Sequence, residues 1–426
     1  MRRGLVFAAL AALALPLAAP AAKTPTAYDP ELQTFSFATG ARAGTALSGS
    51  SLVLVASGLT PFAYTDPHGS GEGTGTYDSG TWTSEWRATA TPFRQAVASW
   101  IADTPAGTWV QTEFQARTAD LRETKWYVLG RWAYGDADFH RTSLSGQGDA
   151  DGFVAIDTFV AAKKASAFSA YRTRLTLLRR AGSTATPRVD RLSVVASDPS
   201  ASSWTIASPT TMTSRALLAV PEYSQEVHID DYPQFDSGGQ AWCSPTATSM
   251  VLGYWRDTVG TGFPTPADYG YVYGDLGAGH PDPWVDYAAR YVYDYNYDGA
   301  GNWPFNVAYA GHFGLTGAVT QLRSLAEAEE FVKRGIPLVI SIAFGSGKLD
   351  GAPIKSTDGH LMVIVGFEAN GDPIVNDPAA HPAENEVVQH VYGRAQFERA
   401  WQEATAGIVY LIHPAGWTLP PSRGNW

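Results

Sequence analysis

The sequence predicts two folded domains in tandem: an all-β sandwich, jelly-roll-like, followed by an α+β domain. Three observations carry this. Residues 77–197 hold seven short runs of aromatic and β-branched residues separated by turns, the pattern of a sandwich or jelly roll. Residues 198–214 are rich in Ser, Thr, Ala and Pro, a linker composition. Beyond them, helical periodicity and short continuous apolar runs are mixed.

In chain order, Arg2 and Arg3 precede an almost wholly apolar stretch over 4–18, and Ala19, Pro20 and Ala21 supply small residues after it. This reads as a signal peptide over 1–22, so the mature chain is expected to be secreted, with no membrane contact after cleavage. Residues 23–76 are weakly patterned, with one strand at Ser51–Ala56. The sandwich strands are expected at Gly80–Trp86, Ala96–Ile101, Thr108–Ala116, Lys125–Ala133, Phe153–Phe159, Tyr171–Leu178 and Arg188–Val195. Domains of this kind bind carbohydrate or pack on a partner domain, so contact with a cell wall or a sugar is one expectation here. Trp82, Trp86, Trp100, Trp109, Trp126 and Trp132 are candidate stacking platforms. Their places inside strand patterns favour core packing. Asp149, Asp151 and Asp157 resemble part of a calcium loop, but a polar hairpin turn fits better.

After the linker, 198–217, the second domain spans 218–415, with a tail over 416–426. Helices are expected at Ser244–Asp257, Pro283–Tyr291, Leu325–Arg334 and Ala395–Gln402. The third has a capping box at Ser324 and Glu327. Strands are expected at Leu338–Phe344, Leu361–Phe367, Pro373–Asn376, Val387–Tyr392 and Gly407–Ile412. Asp294, Asn296 and Asp298 match the first half of an EF-hand loop, but Phe305 stands where the bidentate Glu belongs. No zinc spacing or phosphate loop is apparent, and no metal or cofactor is expected.

The formal charge is −11; without Arg2 and Arg3 the balance is 28 basic against 41 acidic residues, or −13. That argues against nucleic acid and anionic membrane surfaces as partners. Cys243 is the only cysteine. It cannot form an internal disulfide, and a thiol kept in an oxidising compartment invites oxidation, so its retention points to a use.

Cys243 stands where a loop becomes a helix, and the helix dipole there favours thiolate. A thiol nucleophile needs a base, a group to orient the base, and oxyanion donors. His360 lies at the entry to the apolar strand Leu361–Phe367, and Asp377 at the end of the next strand. Gln240, three residues before Cys243, is the candidate side-chain donor, with the Cys243 N–H as the second. If Asn370 and Gly371 form a two-residue hairpin loop, Ala369 faces Asp372 and His360 faces His381. Asp377 then shares the face of His360 but lies four residues off, which demands a bulge or a wider loop. Asn376 points to the other face and remains a runner-up, as does His312 for the base. Gln240 can also be read as a loop cap, His360 as a core histidine and Asp377 as a turn cap before Pro378.

Gln240, Cys243, Ser244 and Pro245, with Gly359–His360 before its apolar strand and Asn376–Asp377–Pro378, resemble the C-39-like cysteine peptidases. The stretch Phe397–Trp401 is also similar, and the resemblance covers about 220–415. It implies a papain-like fold with Cys243 as nucleophile, His360 as base, Asp377 orienting it and Gln240 in the oxyanion hole. A peptide or protein is then the substrate. The alternatives are a peptidoglycan amidase or transpeptidase on the same fold, and a non-catalytic surface- or carbohydrate-binding protein with a degenerate peptidase half.

Overall fold

Alternation of large apolar and polar residues builds the N-terminal strands, and the computed structural model describes residues 29–69, 71–201 and 204–426. The expected signal segment, 1–22, lies outside the described residues. Five short strands come first: β1 (Glu31–Thr34), β2 (Ala41–Ala43), β3 (Thr45–Ser48), β4 (Ser51–Leu54) and β5 (Thr60–Tyr64). The stretch read as weakly patterned therefore belongs to the sandwich. Then follow β6 (Gly75–Thr83), β7 (Arg87–Phe93), β8 (Gln95–Asp103), β9 (Thr108–Arg117), β10 (Tyr127–Trp132), β11 (Gly152–Ala155), β12 (Thr158–Ala161), β13 (Phe168–Arg180) and β14 (Arg188–Ser197).

One sheet runs β11-β12-β8-β14-β4-β3 with β1 beside β14; the other runs β10-β9-β13-β6-β2 with β5 on β6 and β7 on β13. Every pairing is antiparallel. The single strand expected over Phe153–Phe159 is instead the hairpin β11–β12. Ile156 adopts a left-handed φ of 58° at its turn, a conformation a β-branched residue rarely takes.

Trp82, Trp100, Trp109 and Trp132 are fully buried, as the core reading requires. Trp86 and Trp126 are half-buried, and arginines lie over their faces: Arg117 and Arg172 on Trp86, Arg172 and Arg174 on Trp126. Those ring faces are occupied by guanidinium groups, which stack on them as cations.

The second domain opens with β15 (Ala216–Leu217) and α1 (Cys243–Val259), then α2 (Pro266–Leu276), α3 (Pro283–Val292), α4 (Trp303–His312), β16 (Leu315–Gln321), α5 (Leu325–Val332), β17 (Leu338–Phe344), β18 (Thr357–Phe367), β19 (Pro373–Asn376), β20 (Gln389–Val391), α6 (Arg394–Thr405) and β21 (Ile408–Pro414). The sheet order is β16-β21-β17-β18-β19-β20, with β15 on β18. The helix α1 packs in front of this antiparallel sheet. β17 and β19 end where the sequence expects. Missed were α2, α4 and β16. For α2 the signal was present: Thr265 and Asp268 form a capping box around Pro266.

The two domains share one apolar core. Phe305 of α4 packs against Trp100 and Trp132 with ring centroids 6.2 and 5.3 Å away. Close approach is possible because Gly311 faces Ile101, where an added Cβ would come within 2.8 Å of the Ile101 side chain. The Val319 N–H donates to Ser99 Oγ at 3.0 Å. Arg141, fully buried, donates to the carbonyls of Ala133 and Tyr134 in its own domain and of Arg290 across the boundary. Buried donors matched to carbonyls on both sides hold the two halves in one register. The expected linker is docked as well: Thr211 donates through its N–H and hydroxyl to Glu329 Oε2, both at 2.7 Å.

Candidate active site

Cys243 is the first residue of α1, directly after Trp242, whose indole Nε1 donates to Phe235 O at 2.6 Å. Being first, its N–H has no partner inside the helix. Ser244, Thr246 and Ala247 behind it are buried, so packing of the helix against the sheet fixes where the thiol sits. The thiol itself is partly exposed.

His360 lies on β18, opposite Ile342 of β17. Its Nε2 is 2.7 Å from Asp377 Oδ1, and its ring lines the same cleft as the Cys243 thiol, close enough for the thiol to act on its pKa. With Nε2 committed to the carboxylate, Nδ1 is the nitrogen left for the thiol. Asp377 is fully buried. Its Oδ2 accepts from Tyr392 OH at 2.8 Å, and its Oδ1 accepts from the Ala379 N–H at 3.0 Å. Burial alone would raise its pKa, but His360, Tyr392 and that N–H together hold it below the ordinary carboxylate value. For His360, burial favours the neutral ring. The Asp377 charge and hydrogen bond, with the Cys243 contact, outweigh it and raise the pKa to about 10.

The register explains how Asp377 reaches His360. The turn is wider than a two-residue loop, with Phe367 facing Pro373, and a bulge between Ile364 and Gly366 shifts the pairing by one more. Val363 then faces Asn376, so one step further Asp377 falls opposite Met362. The two shifts remove two residues of offset and leave the parity unchanged. His360 and Asp377 are diagonal neighbours on one face. Asn376 is on the other face, where its Nδ2 donates to the carbonyls of Val220 and Pro221. His312 is elsewhere, its ring stacked 3.6 Å from that of Tyr134.

Gln240 lines the same cleft but its side chain is exposed and engaged in its own loop: Nε2 donates to Ser237 O at 2.6 Å, and Oε1 accepts from the Asp230 N–H at 3.3 Å. A second glutamine, missed in the sequence, lines the cleft from within. Gln225 is 4% exposed, and its Nε2 donates to Gln240 O at 2.9 Å. It lies 18 residues before Cys243 (243 − 225), at the start of a one-turn 3-10 segment capped by Ser224.

The cleft, about 730 Å3, is built by both domains. Cys243, His360, Gln225 and Tyr297 lie on one side; Val97, Ile156, Asp157 and Thr158 of the sandwich form the other. Asp157 Oδ2 accepts from the Trp303 N–H at 2.8 Å at the start of α4. Its pKa is raised to about 7, by burial first.

In the two loops compared with calcium-binding patterns and read as polar turns, the leading carboxylates are engaged by the protein's own donors. Asp294 Oδ1 accepts from the N–H groups of Ser143, Asn296 and Tyr297, and Oδ2 from Asn302. Asp149 Oδ1 accepts from Tyr127 OH and the N–H groups of Asp151 and Gly152. Both are polar turns, and Asp294 joins the domains.

A helix bearing a cysteine at its start, set against an antiparallel sheet bearing a histidine, is the architecture of papain-like peptidases. Two family models match the chain: the Peptidase C39 N-terminal domain over residues 29–197 and the Peptidase_C39 like family over residues 217–408. These two matches, one on each half of the chain, bear out its resemblance to the C39-like peptidases. The sandwich matches the N-terminal-domain model and the α+β half the peptidase-like model. No curated protein matches. A solved structure titled for the promiscuous specificity of carbohydrate-binding modules from the β-sandwich superfamily is similar at 11% identity and a TM-score of 0.17, over 39% of this chain and 56% of that one.

Proposed function

We propose that this protein is a secreted cysteine peptidase that hydrolyses peptide bonds. The observation that supports this most is His360, bonded to the buried Asp377 carboxylate at 2.7 Å and lining the same cleft as the thiol at the start of α1, which helps to raise its pKa. Secretion is inferred from Arg2, Arg3 and the apolar stretch after them. No helix of the described residues is long and apolar enough to cross a membrane.

Cys243 gives its proton to His360, and the resulting thiolate attacks the scissile carbonyl. Asp377 acts as a positioning residue that keeps the imidazolium oriented. The Cys243 N–H and, in place of the expected Gln240, the carboxamide of Gln225 stabilise the oxyanion. His360 then protonates the leaving amine, and water hydrolyses the thioester. Gln225 fits this task better because it is buried in the cleft that the thiol lines, where a hydrogen bond to developing charge is not diluted by solvent; its Nε2 would exchange the contact to Glu226 Oε1 at 3.2 Å for the oxyanion.

The test is hydrolysis of a peptide library by the purified chain, compared with Cys243→Ala. Loss of all cleavage in the variant, together with labelling of Cys243 by a thiol-directed peptide probe, is expected. Undiminished cleavage by Cys243→Ala would sink the proposal.

A further inference from the structure

Outside the cleft, four ligand-type side chains converge: His228, Asp231, His280 and Asp286. His228 ends the one-turn segment that begins with Gln225, and Asp231 follows three residues later. His280 lies between α2 and α3, and Asp286 sits in the first turn of α3. His228 Nδ1 is 3.2 Å from His280 Nε2, 3.1 Å from Asp286 Oδ2 and 3.6 Å from Asp231 Oδ2. His280 Nε2 is 3.1 Å from Asp286 Oδ2 and 3.3 Å from Asp231 Oδ2. The side chains of His228 and Asp286 are 0% exposed, those of His280 and Asp231 9% and 16%.

Four ligands at about 2.0–2.1 Å from a tetrahedral ion stand roughly 3.3–3.4 Å from one another. The five separations above run from 3.1 to 3.6 Å, close to those a tetrahedral shell requires, and all four atoms lie within 4.8 Å of one another. Protons cannot satisfy this arrangement. Each imidazole nitrogen offers one proton or one lone pair along one in-plane direction, yet three partners face His228 Nδ1. Among the converging atoms, Asp231 Oδ2 is buried without a hydrogen bond, a costly state for a carboxylate oxygen. A divalent cation satisfies the converging atoms together.

We propose that His228 Nδ1, His280 Nε2, Asp231 Oδ2 and Asp286 Oδ2 bind one zinc-class divalent ion. Two imidazoles and two carboxylates suit zinc; calcium and magnesium prefer an all-oxygen shell. With all four positions supplied by the chain, the ion is structural rather than catalytic. It fastens a segment with little regular structure. Between Gln225 and Cys243, Asp230, Tyr232, Asp236 and Ser237 all take left-handed φ angles of 42–65°. The ion ties this segment to α3. It also holds the turn carrying Gln225, a consequence that rests on the peptidase reading, whereas the ion site itself does not. The sequence expectation of no metal arose because the spacings, His-x2-Asp and His-x5-Asp, match no familiar zinc pattern, and two of the ligands sit on loops.

The test is metal content. The chain from 23 onward, expressed in zinc-replete medium and dialysed, is expected to hold about one zinc per chain by mass spectrometry. The double variant His280→Asn, Asp286→Asn should fall below about a tenth of that while keeping its circular dichroism. Wild-type protein stripped with dipicolinate should take zinc back and melt at a higher temperature. This arm decides the matter if the double variant fails to fold. Stripped wild type that takes up no zinc, or a folded double variant that keeps it, overturns the proposal. Neither readout depends on whether the chain cleaves peptides.

Discussion

Asp377 reaches His360 diagonally across two strands, at 2.7 Å, because a widened turn and a bulge at Val365 each shift the register by one. The pair is fully enclosed, and its charges depend on each other. His360 is held protonated to about pH 10. Its folded pKa lies above the free value of 6.5, so its contribution to stability is complete below 6.5 and is lost as pH rises through about 10. Asp377 is depressed, so its contribution is present above the free value of 3.8 and is lost as pH falls through the folded value.

The first prediction concerns activity. The thiolate–imidazolium pair needs a protonated His360, so kcat/KM should decline at alkaline pH as that proton leaves, near 10. Asp377→Asn removes the charge that favours protonation. Its alkaline limb should move down by more than about one pH unit, and kcat should fall by about 10²–10⁴. A pH–rate profile with an unmoved limb would refute the positioning role.

The two glutamines separate cleanly. Gln225→Ala should lower kcat by about 10²–10³ with KM little altered, the signature of a lost oxyanion donor. Gln240→Ala, whose amide serves its own loop, should stay within about threefold of wild type by the same measure. Steady-state kinetics on one peptide substrate checks both, and the reverse ranking would restore Gln240.

Asp157 gives a pH signature in stability. Its folded pKa of about 7 lies above the free value of 3.8, so ionisation works against the fold, and the cost grows between those two values and then levels off. Asp157→Asn cannot ionise. Its unfolding free energy relative to wild type should therefore rise from pH 4 to 7 and plateau above. Denaturant melts across that range test it, and a difference independent of pH would contradict it.

The shared core should unfold as one unit. Phe305→Ala removes a fully buried ring between Trp100 and Trp132 and should cost about 3–5 kcal/mol. Gly311→Val pushes branched carbon into Ile101 and should cost about 1–3 kcal/mol. Both variants should show a single melting transition by calorimetry. Two separated transitions would show that the halves fold independently.

Much of this was legible in the sequence, for physical reasons. β17 and β19 were found because strands buried on both faces read as unbroken apolar runs. Cys243, His360 and Asp377 were legible as candidates because each borders an apolar element: Cys243 opens α1, His360 precedes the apolar run 361–367, and Asp377 follows β19. Gln225 was hidden because a long irregular loop separates it from the thiol, and nothing in Ser224–Gln225 announces that the loop folds back. α4 was hidden because Trp303, Phe305 and Tyr309 are buried on several faces against both domains, so no amphipathic period survives. β1, β2, β3 and β5 were hidden because they are short and lie toward the sheet edges, where polar residues are tolerated.

The cleft wall made of Val97, Ile156, Asp157 and Thr158 has an evolutionary consequence. Selection for a new cleavage preference can act on the hairpin at Ile156 without disturbing the strands and helix that carry the reacting groups. On the proposed peptidase reading, the sandwich wall of the cleft and the nucleophile are encoded in separate stretches of the gene, more than 80 codons apart (243 − 158 = 85), and can diversify at different rates.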